Sequence, residues 1–414
     1  MEALPRLRYI DAFPVDVDGQ RLIYLRDPEG IAAEGLGVPP PVFQFMTLLD
    51  GTRTIEDLKA ATVPNGSGET VSDDQINDLL KSLDESYLLD SERYRERKAE
   101  VASAYREEKR RPSALAGRSF PEKKDALELL IDSFFTDQTG PDDSPRSDAP
   151  VTALVAPHID FGRGGPCFAW AYNELKSKEP ADVYVVFGTG HSAKNPFTTS
   201  RKTFETPLGD LEADQRFIDQ LVENCEQDLF DDELAHKNEH SIEFQVVFLK
   251  YLFPDVDITF VPILCGSFYE SVHLRRSPME DPRVADFVQG LRRAIDADDR
   301  RICLISGVDF SHVGRRFGDD NELDDAFLDR VRSSDVDLID AASDGDPEKF
   351  FDVIVRDCDR NRVCGTSSIY TMLKVMDGQR GELLKYDQAA DYESQQMVSF
   401  ASMAWYERSA SNDK

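Results

Sequence analysis

Val151-Thr152-Ala153-Leu154-Val155-Ala156-Pro157-His158-Ile159-Asp160-Phe161-Gly162 is the stretch that decides the fold. Six β-prone or small apolar residues run unbroken into a proline, then a histidine and an aspartate, as a buried strand does when its carboxyl end opens on a site. The pattern recurs. Val183 to Phe187 runs into Gly188-Thr189-Gly190-His191-Ser192, and Ile302 to Ile305 continues through Gly307 and Val308 into Asp309-Phe310-Ser311-His312. A fourth apolar run spans Ile258 to Leu264, and helical segments such as Leu211 to Asn224 lie between the runs. This alternation predicts an α/β sandwich with a central, mostly parallel sheet. Such sheets bind ligands in the crevice beyond the carboxyl ends of their strands, where three of the chain's six histidines fall.

One histidine after a strand is more often a cap or a packing residue than a ligand; three in register are not. Neutral imidazoles suit iron, copper, zinc and nickel, and two histidines plus an anionic group with open positions is the arrangement of non-haem Fe(II) oxygenases. Three residues can supply the anion: Cys364 in Val363-Cys364-Gly365-Thr366, Glu243 in Glu239-His240-Ser241-Ile242-Glu243, and Asp309. Cys364 precedes a glycine and a helical segment, a setting at an element end that the other five cysteines lack. With no CxxC pair and so few cysteines in so long a chain, all six are expected as reduced thiols.

Working outward, 414 residues exceed what one core usually spans, so two domains are expected. Residues 1–95 read as a small helical module with strands at its edges. Val42, Phe45, Met46 and Leu49 share a helical face, Thr54 can cap a second helix, and Ser72-x-x-Gln75 is a capping box for a third. Three short helices followed by Tyr87-Leu88-Leu89 predict a winged-helix arrangement. Leu49-Asp50-Gly51-Thr52-Arg53-Thr54-Ile55-Glu56-Asp57-Leu58 resembles the PqqD-like peptide-recognition domains found beside radical-SAM systems. The stretch from Ser72 to Glu85 carries five acidic residues against Lys81 alone, which fits a peptide or protein partner and not DNA. Residues 96–111 read as a charged helical linker, 112–408 as the α/β domain, and 409–414 as a disordered tail.

The formal net charge is −31. That field repels phosphate backbones and anionic lipid surfaces, so neither nucleic acid nor membrane is an expected partner. No apolar run approaches the length of a membrane span, and the N-terminus lacks a basic segment followed by an apolar one, so the cytoplasm is the expected compartment.

Ala156-Pro157-His158, Gly188-x-x-His191, Glu239-His240-Ser241-Ile242-Glu243, Asp309-Phe310-x-His312 and Cys364-Gly365 stand in the order and spacing of the Memo family, which the chain resembles over residues 112–407. Joined to a PqqD-like N-terminus, the chain resembles the B component of the AmmeMemoRadiSam system, whose other members are a radical-SAM protein and an AmmeCR-type protein. The resemblance implies a fold similar to class III extradiol (LigB-like) dioxygenases, with metal ligands at His158, His191 and Cys364. It places Asp309 and His312 beside them and the Glu-His-Ser-Ile-Glu segment near the cleft. Fe(II) is the implied ion, with copper or zinc as alternatives. His312 is then the expected proton carrier, Asp309 the residue that orients it or another outer group, and His240 a hydrogen-bond donor to bound oxygen. A cysteine in place of the dioxygenase glutamate argues against simple ring cleavage. Ala116-Gly117-Arg118-Ser119-Phe120-Pro121 resembles the family's Ala-Gly-Ser-Trp-Tyr-Pro segment with its aromatic pair changed, which implies a different ligand. Two functions are therefore expected to compete: a non-haem iron or copper redox enzyme of unknown substrate, and a non-catalytic metal- or peptide-binding adaptor.

Overall fold

The computed structural model describes residues 3–17, 19–32, 36–62, 72–141, 145–176 and 178–407. The tail expected at 409–414 lies outside these residues. The chain divides into two compact units, Met1–Glu108 and Lys109–Lys414.

In the first unit β1 (Asp11–Val17) and β2 (Gln20–Arg26) form an antiparallel hairpin, and β3 (Leu36–Val38) pairs with β2. Helices α1 (Pro40–Met46), α2 (Ile55–Thr62) and α3 (Asp73–Glu85) follow. Their Phe45, Met46, Leu58, Ile76 and Leu83 are buried with Leu25, Leu49, Leu88 and Leu89 in one core. Ser72 and Gln75 form the expected capping box, and the Asp57 backbone N–H donates to Thr54 Oγ1 at 3.4 Å. The hairpin was not legible in the sequence, because only Leu25 of β2 is fully buried and the strands alternate weakly. After α3 the Tyr87–Leu89 stretch supplies a single antiparallel bridge, Leu89 to Leu7, in place of a strand.

The charged segment read as a linker forms α4 (Glu92–Glu107), which belongs to this first unit. Polar groups tie it down in place of an apolar face. Lys98 Nζ donates to Glu29 at 2.5 Å, Tyr94 OH bonds the same carboxylate, and Arg8 reaches Glu29 at 2.7 Å while stacking on the Tyr94 ring.

The second unit runs β4 (Arg110–Arg111), α5 (Lys124–Phe135), β5 (Val151–Ala156), α6 (Phe161–Lys176), β6 (Val183–Thr189), β7 (Phe197–Thr199), β8 (Thr203–Phe204) and α7 (Gln215–Glu223). It continues through α8 (Ser241–Leu252), β9 (Thr259–Cys265), α9 (Tyr269–Leu274), α10 (Pro282–Ala297), β10 (Ile302–Gly307) and β11 (His312–Val313). It closes with α11 (Asp325–Ser343), α12 (Pro347–Arg356), α13 (Thr366–Met376), β12 (Gly381–Asp391) and β13 (Gln396–Tyr406). The main sheet has the order β11-β13-β5-β10-β6-β9-β7, with β12 paired to β13.

The four strands read from the sequence, β5, β10, β6 and β9, are mutually parallel and lie side by side. Antiparallel strands flank them, β7 beyond β9 and β13 beyond β5, so the sheet is mixed. The β12–β13 hairpin escaped the sequence reading because β13 dilutes its apolar run with Ser399 and Ser402. Both serines are buried and bonded, Ser399 to Asp335 at 2.6 Å and Ser402 to the Cys167 carbonyl at 2.5 Å. Helices α6 and α8 are joined by aromatic contacts: Phe168 stacks on Phe248 at 5.2 Å, and Phe161 lies 4.8 Å from Phe244. Phe120 joins this cluster, 5.7 Å from Phe161. None of the six cysteines is in a disulfide. No helix among the described residues is long and apolar enough to cross a membrane.

Asp214 caps α7 through the Phe217 backbone N–H at 2.7 Å and receives Arg300 Nη1 at 2.6 Å and Thr259 Oγ1 at 2.5 Å. Burial pushes its carboxyl up, but these donors outweigh burial and hold it below the usual carboxylate range. A depressed acid stabilises the fold above its unfolded pKa, and that contribution is lost as the pH falls through its folded value. Asp214→Asn is therefore expected to cost about 1–2 kcal/mol at pH 7 and progressively less below pH ~4, read by urea unfolding at each pH.

Candidate metal centre

β5, β10 and β6 are adjacent and parallel, with Ala156, Gly307 and Gly188 level across them, so their carboxyl ends open on one edge. His158, Asp309 and His191 each stand two residues beyond their strand. A fourth element reaches the same edge. Gly188 and Gly307 carry no side chain, and a Cβ on Gly188 would fall 2.4 Å from Ser241 Oγ, one on Gly307 2.6 Å from Gln245 Nε2. Glycine at both places lets the first turns of α8 lie directly on the strand ends, which brings His240 to the site.

The candidate ligand atoms of His158, His191 and His240 all lie within 4.8 Å of one another, so the three could hold a metal ion. Ring centroids are 5.3 Å apart for His158 and His191, 5.1 Å for His158 and His240, and 4.9 Å for His191 and His240, whose planes differ by 16°. Each ring turns Nδ1 to an oxygen acceptor: the Gly307 carbonyl at 3.1 Å for His158, and Glu239 at 3.0 Å for His191 and 3.1 Å for His240. An imidazole that donates from Nδ1 keeps its lone pair on Nε2. Burial and the two neighbouring imidazoles hold His158 well below the usual histidine range, so it is neutral at pH 7, as a ligand must be.

Glu239 is buried, which would raise its carboxyl, but His191 and His240 outweigh that and keep it well below the usual range. Asp309 behaves oppositely. Burial lifts its carboxyl to about 7 although Oδ1 accepts from the backbone N–H groups of His158 at 3.0 Å and Ile159 at 3.2 Å. Its Oδ2 lies 3.7 Å from His158 Nε2. Asp309 thus fixes the His158 loop, whereas His312 is oriented by the Phe310 carbonyl, 3.2 Å from its Nδ1.

Cys364 stands beside the three histidines, its sulfur 3.6 Å from His158 Nε2 and 3.3 Å from the Asp309 carbonyl. Burial, reinforced by Asp309, raises the thiol well above its ordinary range. In this protonated form it donates to a carbonyl and stands outside the convergent group, whose third member is His240. His312 is also outside that group, and burial pulls its imidazole down to about 4. Glu243 is directed away: Arg111 Nη1 meets it at 2.6 Å, and Ser113 Oγ and the backbone N–H groups of Ala114 and Leu115 complete its contacts. It holds the 111–115 segment against α8. The remaining histidines bond locally, His236 to the Thr198 carbonyl at 3.2 Å and His273 to the Tyr269 carbonyl at 3.0 Å.

Sequence reasoning did not single out Glu239, Arg111 or Gln245. Gln245 Nε2 donates to the Pro157 carbonyl at 2.8 Å, one residue before His158. A usable signal was present: Glu239, Glu243 and Gln245 are polar residues in and before an otherwise apolar helix, and buried polar groups there must have partners. The donor set fits an ion that prefers nitrogen ligands: three imidazoles, each with an oxygen acceptor beside its Nδ1.

A family model described as Memo-like protein matches residues 111–404. A MEMO1 family protein of Aquifex aeolicus is 31% identical over 411 residues, covering 97% of this chain and 100% of the relative. A MEMO1 family protein of Desulfurococcus amylolyticus is 29% identical over 311 residues, 72% of this chain and 99% of the relative. One from Methanopyrus kandleri is 29% identical over 308 residues, 71% of this chain and 98% of its own.

Proposed function

The chain belongs to the Memo-like family, and from that premise we propose that it is a metal-dependent redox protein with its ion seated beyond the ends of β5 and β6. His158, His191 and His240 are the ligands, and Cys364 is the residue placed to join or replace one of them. The observation that carries this reading is the convergence of three imidazoles within 4.8 Å, each with Nδ1 turned to an acceptor. Fe(II) is the first expectation, with copper and zinc suited to the same nitrogens. When bound, such an ion would supply redox and Lewis-acid chemistry at its remaining positions.

The residues around it have separable tasks. Asp309 holds the His158 loop through two backbone N–H groups. His312, neutral at pH 7, accepts a proton from a bound substrate. The fold relationship to class III extradiol dioxygenases belongs to the same proposal, with a substrate other than a simple catechol. The first unit is proposed as a PqqD-like, winged-helix-like docking module for a peptide, and the radical-SAM and AmmeCR-type proteins of an AmmeMemoRadiSam system as partners.

O2 uptake by iron-loaded protein, supplied with a reductant, tests the reading. His312→Ala is expected to lower the rate by at least about a hundredfold while iron content stays at the wild-type level. Iron-loaded wild type with no uptake above free iron would remove the redox reading and leave a metal-binding adaptor.

A further inference from the structure

We infer that Glu239 is a shared positioning residue, one carboxylate that sets the tautomer of two imidazoles of the centre, His191 and His240, at once. The inference rests on the metal-binding reading only for its effect on affinity, because the tautomers are a property of the metal-free chain.

In water a neutral histidine prefers its proton on Nε2, which would aim N–H groups into the centre and bar a cation from it. Glu239 reverses the preference twice. Its Oε2 lies 3.0 Å from His191 Nδ1, and its Oε1 lies 3.1 Å from His240 Nδ1. The two rings are nearly parallel, and each has its Nδ1 beside the carboxylate. One group can serve two rings only if it is itself immobile. Oε1 accepts from the backbone N–H groups of His240 at 2.8 Å and Ser241 at 3.1 Å, and Oε2 from that of His191 at 3.1 Å. The first two donors lie at the N-terminus of α8, where the helix favours an anion. Arg111 Nη2 fixes the same residue from behind, through its carbonyl, at 2.6 Å.

Oε1 also lies 3.2 Å from His191 Nδ1, so an amide at this place could still offer His191 an acceptor. An apolar side chain cannot: in Glu239→Leu neither Nδ1 has its carboxylate, and both rings return to Nε2–H.

Nitrogen–proton correlation spectra of the metal-free, full-length chain, labelled at histidine nitrogens and assigned by single histidine substitutions, read these tautomers directly. Wild type is expected to show Nδ1–H at His158, His191 and His240. Glu239→Leu is expected to convert His191 and His240 to Nε2–H, with His158, whose acceptor is the Gly307 carbonyl, as the unchanged internal control. Affinity for Co(II) in the same variant is expected to fall about 10- to 100-fold. Nε2–H at His191 or His240 in wild type would overturn the inference, and this holds even if the variant fails to fold. So would a folded Glu239→Leu variant that keeps Nδ1–H at both His191 and His240. Wild type that binds no Co(II) yet shows the expected tautomers would overturn the metal reading and leave the positioning role standing.

Discussion

His191→Ala and His158→Ala are each expected to weaken Co(II) binding by at least about a hundredfold, beyond what loss of an outer-sphere partner costs. Each substitution removes one of three imidazoles whose candidate ligand atoms lie within 4.8 Å. His236 is committed to the Thr198 carbonyl and His273 is exposed on α9. His273→Ala is therefore the control, with affinity unchanged. Cys364→Ser and His240→Ala, measured together, rank the two residues beside His158. The larger loss is expected for His240, whose candidate ligand atom converges with those of His158 and His191, while the Cys364 sulfur is occupied by the Asp309 carbonyl. Competition against a chromophoric chelator gives all the values. Wild-type affinity in both His191→Ala and His158→Ala would contradict the assignment.

Arg111→Ala is the second large effect, expected to cost about 3–5 kcal/mol of stability because it leaves the Glu243 carboxylate buried without its cation. Both side chains are fully buried, and Arg111 also donates to the His236 and Glu239 carbonyls at 2.6 Å each. In a unit of this size, Lys109–Lys414, that corresponds to a fall of roughly 5–8 °C in Tm. The paired change Arg111→Met with Glu243→Leu is expected to recover part of the loss, since it removes both charges together. Differential scanning calorimetry of the three variants decides the matter. A Tm for Arg111→Ala within a degree or so of wild type would contradict this role for the pair.

The parallel strands were legible because each is short and largely apolar, and three of the four are followed at once by chemistry-bearing residues. That regularity places His158, Asp309 and His191 two residues past their strands. The antiparallel margins were not legible: β13 hides its burial behind small serines, and β12 is half exposed. In the first unit the N-terminal hairpin and the anchorage of α4 depend on contacts far apart in sequence, such as Lys98 with Glu29 and Arg8 with Asp27. Periodicity cannot register these. The same limit applies at the centre. His240 was visible in a motif, but its place beside His158 depends on Gly188 and Gly307 admitting α8, and Glu239 shows its importance only once two rings are seen to share it.

Metal analysis of anaerobically purified protein, wild type beside His191→Ala with thiols kept reduced, is the measurement that bears most directly on the centre. Roughly one iron or copper per chain in wild type, lost in a folded variant, is expected. No transition metal in either protein, and none taken up when Fe(II), Cu(II) or Zn(II) is offered, would contradict it.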